Sequence, residues 1–295
     1  MAEPLLAITG VTGGIGGRVA DRLSRQGCNL RLIARDPAKI DGFPRAELVA
    51  GDYDDEASMR QALSGAAAML FVSGREHVDR LIQHEKVVAA ATSAGVRKIV
   101  YTSFLGASPE ATFTLARQHY QTERFIRSSG AEYVFLRDSL YTDFIPHLVG
   151  ADGAIRGPAA SGRVSFVTRD DIADAVVAVL TTDVFDGQTF DITGPEAITL
   201  NEAAAVLTEF AGKTITYVAE TEEEAYASRA HYGAPDWEVE GWVTSYQAIA
   251  QAEMEVVSNS VETLTFHRPL SVREFLAANP ESYAQLTRTS GDASP

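Results

Sequence analysis

Leu5-Leu6-Ala7-Ile8-Thr9-Gly10-Val11-Thr12-Gly13-Gly14-Ile15-Gly16 is the stretch that decides the fold. An apolar strand runs straight into glycines at 10, 13 and 16, and Val19, Ala20 and Leu23 then follow at helical spacing. Strand, glycine-rich turn and helix in that order build a pyrophosphate cradle. Gly10 permits the tight turn, Gly13 lets the backbone approach the phosphates, and Gly16 lets the helix pack on the strand. The helix N-terminus adds free N–H groups and the positive end of its dipole. With Thr12, Gly14 and Ile15 completing the loop, a dinucleotide site is expected across residues 10–16.

Outward from this loop, the first half alternates strands and helices. Strands are expected at 5–9, 29–34, 46–50, 67–72, 97–102 and 132–137, and helices at 15–26, 55–64, 76–94 and 112–129. Strands joined by helices of this length imply right-handed crossovers and a parallel sheet covered on both faces. The fold class is α/β, a Rossmann-type doubly wound parallel sheet. After about residue 138 the pattern changes to short strands at 163–166, 187–192 and 214–218 among helices at 169–181, 199–211, 220–232 and 236–252. This predicts a dinucleotide domain over 1–138, a smaller α/β substrate-binding lobe over 139–285 that shares the sheet edge, and a flexible tail at 286–295.

Composition narrows the partners. A formal charge of −15 over 295 residues opposes nucleic acid, which demands clustered Lys and Arg. The one cysteine, Cys28, excludes an internal disulfide and suits a reducing, cytoplasmic setting. No apolar run approaches a membrane span, so no membrane partner is expected. A homo-oligomer is compatible with all of this. His77 and His84 fall seven apart on an expected helix, but no third ligand accompanies them and no metal is expected. Ser73 and Ser103 lack the Gly-x-Ser-x-Gly elbow of a hydrolase. Thr168-Arg169-Asp170-Asp171 reads as a capped helix start with a structural role.

Thr9-Gly10-x-x-Gly13-x-x-Gly16, Ala34-Arg35-Asp36-Pro37-Ala38-Lys39, Gly51-Asp52-Tyr53, Ala94 through Ser103 and Leu140-Tyr141-Thr142-Asp143-Phe144 occur in order. The set resembles the NmrA-like, atypical branch of the short-chain dehydrogenase/reductases, and within it the NADPH:quinone oxidoreductases and triphenylmethane dye reductases. The resemblance covers roughly residues 5–280 and is stronger in the first half. It implies a cofactor site and a small planar substrate.

NADP(H) is the expected cofactor, with NAD(H) as the alternative. Arg35 follows the second strand and Lys39 stands one turn later, where cations can clamp a 2′-phosphate. Asp36 could instead hold a ribose hydroxyl, and the two cations could be ordinary surface charges. Asp52 resembles the family's adenine-edge contact and reads equally as a turn cap. Ser73, Gly74, Thr102 and Ser103 would line the ribose and nicotinamide half, with Phe104 either facing the substrate or packing in the core.

Ordinary short-chain dehydrogenases carry a Tyr and, four residues on, a Lys on the helix after strand five. One register here offers Tyr120 and Arg124. The preferred register anchors on Glu123 and places Leu115 and His119 at those positions, so the dyad is absent. Reducing a ketone develops an alkoxide that needs a matched acid. A quinone or cationic dye spreads or loses charge, so hydride delivery can rest on orientation, with protons from water. His119 and Tyr141 are the candidate catalytic residues, and Tyr141 and Phe144 a flat aromatic wall for the substrate. The sequence thus predicts an NADPH-dependent reductase of conjugated, electron-poor acceptors. The alternative is an NADP(H)-binding redox sensor without turnover.

Overall fold

A computed structural model describes residues 3–287. Its centre is a seven-stranded parallel sheet in the order β3-β2-β1-β4-β5-β6-β9. The strands are β1 (Leu6–Ile8), β2 (Leu30–Ala34), β3 (Glu47–Ala50), β4 (Ala68–Phe71), β5 (Lys98–Phe104), β6 (Glu132–Asp138) and β9 (Gln188–Ile192). Helices α1 (Gly16–Arg25) and α5 (Arg169–Leu180) cover one face, and α2 (Glu56–Leu63), α3 (Arg80–Ser93) and α4 (Thr114–Ser128) the other.

Both faces are buried, so the strands read as apolar runs rather than as alternations. Leu6, Ile8, Leu32, Leu70 and Val100 point to the α1/α5 side. Ala7, Ile33, Met69, Phe71, Ile99 and Tyr101 point to the α2/α3/α4 side. The strand order reverses between β1 and β4, and a ligand crevice opens there beyond the strand C-termini.

The chain after residue 138 does not form a separate body. α5 packs beside α1, and β9 adds to the sheet parallel to β6, pairing Val134 with Gln188 through Asp138 with Ile192. A single cut at 138 therefore divides one layered unit, because Ile172, Val176 and Ile192 share a core with β1 and α1. The smaller lobe is assembled from β7 (Ala154–Gly157), β8 (Arg163–Val164), β10 (Ile198–Thr199), β11 (Thr216–Ala219), α6 (Leu200–Ala211), α7 (Glu222–Arg229), α8 (Asp236–Ala250) and α10 (Val272–Ala278). α9 (Ser260–Thr265) returns to the main core through Val261 and Leu264. Phe104, Phe113, Ile155, Phe166, Leu207, Ile249 and Phe275 form the second core, which joins the lobe to the sheet.

Several expected boundaries move. α3 starts at Arg80 rather than at 76, so His77 lies on an exposed loop and shares no helix face with His84. The helix expected over 220–232 ends at Arg229 and tightens into a 3-10 turn over Ala230–Tyr232. Thr168 accepts from the Asp171 N–H as the α5 cap. Within the tail expected over 286–295, Leu286 is buried in a helical turn over Ala284–Thr287, and residues 288–295 lie outside the described residues. No helix among the described residues is long and apolar enough to cross a membrane.

Candidate active site

The glycine loop closes the crevice floor. Gly10 has φ +64°, open to a residue without a Cβ, and a side chain there would strike Val72. The Gly13 N–H donates to the Gly10 carbonyl at 2.9 Å, folding the loop back on itself. Thr12, Gly13 and Gly14 are exposed at the rim, whereas the Ile15 side chain is buried and gives the crevice only backbone. No side chain caps the start of α1, so its first N–H groups remain available to an anion. Thr9 ties the floor together: its hydroxyl donates to the Leu70 carbonyl (3.0 Å) and accepts from the Val72 N–H (3.0 Å).

At the β2 end, Asp36 caps the turn over Pro37–Lys39, accepting from Ala38 N–H at 3.2 Å, and pairs with Lys39 at 3.6 Å. Asp36 is thereby used structurally and Lys39 is already paired. Arg35 is exposed and makes no ion pair among the described residues. Asp52 Oδ1 accepts from Asp54 N–H at 3.1 Å, which is the turn-cap reading.

Where β4 and β5 end, the Ser73 N–H donates to Thr102 Oγ1 at 2.8 Å and Ser73 stays half-buried at the opening. Gly74 is held from both sides. Its N–H donates to His84 Nε2 (2.9 Å), and its carbonyl accepts from Arg80 Nε (2.8 Å). Arg80 was not singled out in the sequence, yet it is only 2% exposed and makes no ion pair among the described residues. It also donates to Gln118 Oε1 (3.2 Å) and to His119 Nε2 (3.0 Å). A guanidinium has no acceptor atom, so His119 Nε2 must accept and its Nδ1–H must donate to Tyr101 Oη at 2.9 Å.

That assignment corrects the catalytic role expected of His119. Both ring nitrogens are engaged, the side chain is buried, and burial together with Arg80 holds its pKa well below 6.5. It is a neutral linker beneath the Gly74 loop, not a proton donor. His84 behaves alike: burial and Arg80 depress its pKa, and Nδ1–H donates to Thr122 Oγ1 at 2.8 Å. Below about pH 6.5 an unfolded chain would protonate both rings while the fold keeps them neutral. Their contribution to stability is therefore complete above that pH and is lost as pH falls. Urea unfolding from pH 6.5 to 5 should show a shallower loss in His84→Asn than in the parent. Parallel slopes would mean that His84 protonates within the fold.

Three further expectations change. Ser103 is buried and donates to Glu123 Oε1 at 2.6 Å, so its side chain faces α4 and not the cofactor crevice. Phe104 packs edge-on against Phe113 (5.0 Å between centroids) in the second core. Tyr141 and Phe144 do not form one wall. Phe144 is 51% exposed with its ring beside His147, while the Tyr141 ring lies under the Arg169 guanidinium at 5.0 Å. On α4, His119, Thr122, Glu123 and Ile126 face the sheet, and Arg124 faces solvent.

Two residues near Tyr141 stand where the sequence gives no site role: Arg169 reads there only as part of a helix start, and Asp138 carries no reading. Arg169 leans over the glycine loop, with its Cδ 2.8 Å from where a Cβ on Gly14 would stand, and its N–H donates to Asp143 Oδ2 at 3.0 Å. Asp138, the last residue of β6, accepts from the Tyr141 hydroxyl at 2.6 Å. The spacing of one charged residue three positions before an aromatic at a strand end was the only sequence signal for the second. Among the described residues no group of His, Cys, Asp and Glu could hold a metal ion.

A strand-order reversal, a glycine cradle that Cβ atoms would fill and an uncapped helix start define a dinucleotide-binding α/β protein. The family model described as NAD(P)H-binding matches residues 10–183, and the chain belongs to that family. It is 34% identical over 241 residues to quinone oxidoreductase 2 of Escherichia coli, covering 79% of this chain and 83% of that one. Its fold superposes on the E. coli NADPH-dependent quinone oxidoreductase complexed with NADPH at TM-score 0.85, with 30% identity over 92% of this chain and 99% of that one. The Citrobacter triphenylmethane reductase complexed with NADP(H) gives TM-score 0.83 and 31% identity, covering 95% of this chain and 99% of that one. The chain is an NAD(P)H-dependent oxidoreductase of this Rossmann-type, NmrA-like group.

Proposed function

We propose that the protein is an NADPH-dependent reductase that delivers hydride to a quinone or a similar conjugated, electron-poor acceptor. The observation that carries this reading is the commitment of α4. Leu115 is apolar and His119 has both nitrogens engaged, so this helix offers no acid matched to a ketone's developing alkoxide. Similarity to quinone and dye reductases supports the same acceptor class.

Gly10, Gly13, Gly16 and the start of α1 would hold the pyrophosphate, and Arg35 the 2′-phosphate. Ser73, Gly74 and Thr102 would border the ribose and nicotinamide half, with Arg80 and His84 fixing the Gly74 backbone. The bound cofactor supplies the hydride. Orienting the cofactor against the acceptor is the protein's first task and can account for several kcal/mol of barrier, about 7 or more in well-aligned cases.

Loss of NADPH absorbance with a panel of quinones and cationic dyes, with NADH in parallel, tests the reading. Turnover that favours NADPH is expected. Binding of NADPH without turnover of any acceptor would leave a sensor instead. Arg35→Ala should weaken NADPH roughly 10- to 100-fold, the size of a charge-assisted contact, and leave NADH nearly unchanged. Equal losses for both cofactors would remove Arg35 from the phosphate site.

A further inference from the structure

We propose that Asp138 is the proton reservoir of this site, passing a proton through its hydrogen bond to Tyr141 and so to the reduced acceptor. The inference rests on the reductase reading above.

The pair is built in an unusual way. Asp138 is 1% exposed, and Tyr141 Oη donates to its Oδ2 at 2.6 Å. Its Oδ1 is buried without a hydrogen-bond partner, and the carboxyl makes no ion pair among the described residues. A buried carboxylate normally gathers a cation or several N–H donors, because desolvating the charge is costly. Glu123, buried on the α4 side of the sheet, does this with two arginines. Asp138 is instead placed to hold a proton. Burial pushes its pKa up to about 7, so protonated and ionised forms coexist near neutrality.

The surroundings fit a relay. Arg169 from α5 stands over the Tyr141 ring and borders Gly14, which puts Tyr141 beside the cofactor crevice. Arg80 from α3 acts on Tyr141 from within the fold, and Tyr101 from β5 lies within electrostatic reach of Asp138. On the β9 side the paired residue is the apolar Ile192. Burial and the Asp138 charge hold the Tyr141 pKa well above 10, so this hydroxyl cannot simply ionise. It can give up its proton only as it receives another.

The step balances in atoms and charge. As the acceptor gains hydride, its oxygen takes the Tyr141 proton. For this the hydrogen bond reverses when Asp138 is protonated: Oδ2–H donates to the Tyr141 oxygen and the Tyr141 proton turns to the acceptor. Tyr141 thus takes the Asp138 proton as it gives up its own, and the buried carboxylate left behind is reprotonated through Tyr141 once the product has gone. Asp138 acts through Tyr141 and is a positioning and proton-supplying residue, while Tyr141 is the group that touches the acceptor.

The test compares the parent, Asp138→Asn and Tyr141→Phe, using single-turnover reduction of 1,4-naphthoquinone by the NADPH-loaded protein from pH 5 to 9. NADPH affinity and thermal melts are measured alongside. The parent rate should fall as pH rises through about 7, where the carboxyl loses its proton. Asp138→Asn should be slower at pH 6 by roughly 10²-fold, the lower range for general acid catalysis, and should lose the inflection. Infrared titration supplies a readout without turnover: a buried carboxyl C=O band should vanish near pH 7 in the parent and shift its midpoint in Tyr141→Phe. That measurement stands even if Asp138→Asn fails to fold. A parent-like pH profile in Asp138→Asn, or a carboxyl already ionised at pH 5, would overturn the relay while leaving the reductase reading intact. A parent that binds NADPH yet reduces no acceptor would overturn both.

Discussion

Gly16→Ala is expected to abolish useful NADPH binding. A Cβ at this position would lie 2.4 Å from the Gly10 carbonyl oxygen, 2.5 Å from its carbon and 2.6 Å from the Thr9 carbonyl oxygen. All three are backbone atoms, so no side-chain rotation can relieve the overlap. The start of α1 must move away from β1, and that movement opens the cradle whose N–H groups would meet the phosphates. A misplacement of about 1 Å in such a site costs on the order of 10²-fold. Overpacking should add a stability loss of about 1–3 kcal/mol. Gly95→Ala is the matching control. It has φ +77° and nothing within 4 Å of an added Cβ, so it carries backbone strain of about 1–2 kcal/mol without touching the crevice. Cofactor fluorescence titrations and thermal melts on both variants separate the two effects. An unchanged NADPH affinity in Gly16→Ala would detach the glycine loop from the cofactor.

The parts legible in the sequence were those whose signal is local. The central strands β1, β4 and β5 announce themselves as apolar runs because each is buried on both faces, whereas the exposed edge strand β3 shows only a short apolar stretch. The glycine loop is equally local, since its glycines answer to turn and packing demands within a few residues. β9 was visible as a strand, but its place beside β6 depends on pairing across more than fifty residues. No pattern within the strand declares that partner. The short strands β7 and β10 escaped notice because two to four residues carry no readable period.

Side-chain roles at the site followed the same division. Ser103 and Phe104 end β5 and His119 stands on α4, yet their roles depend on what stands opposite. His119 faces Arg80, thirty-nine residues away, and Ser103 faces Glu123. The β5 pleat decides the second case: Thr102 points to the crevice side and Ser103 to α4. Arg80 and Asp138 carry little sequence signal, because a charged residue in a helix or at a strand end is ordinarily a solvated one, and Arg169 reads only as part of a helix start. Burial sets Arg80 and Asp138 apart, and burial is a property of the assembled layers.

Glu123→Ala should give the largest loss of stability. The carboxylate is fully buried and accepts four hydrogen bonds: Arg137 Nε at 2.8 Å, Arg137 Nη2 at 2.7 Å, Ser103 Oγ at 2.6 Å and Arg127 Nη2 at 3.3 Å. Deleting it strands the partly buried Arg137 charge, orphans the Ser103 hydroxyl and opens a void between α4 and β5. Breaking a buried pair in this way costs about 3–5 kcal/mol, a fall in Tm on the order of 10 °C. Glu123→Gln keeps the volume and some of the hydrogen bonds, so its loss should be smaller. The functional consequence is selective. Glu123 clamps the ends of β5 and β6, which carry Thr102 and Asp138, whereas the pyrophosphate cradle belongs to β1 and α1 on the far side of β4. Below its melting range the variant should bind NADPH within a few-fold of the parent while its turnover falls further. If affinity and turnover decline in step, the two halves of the crevice are one mechanical unit, and the clamp's influence extends across β4 to the cofactor itself.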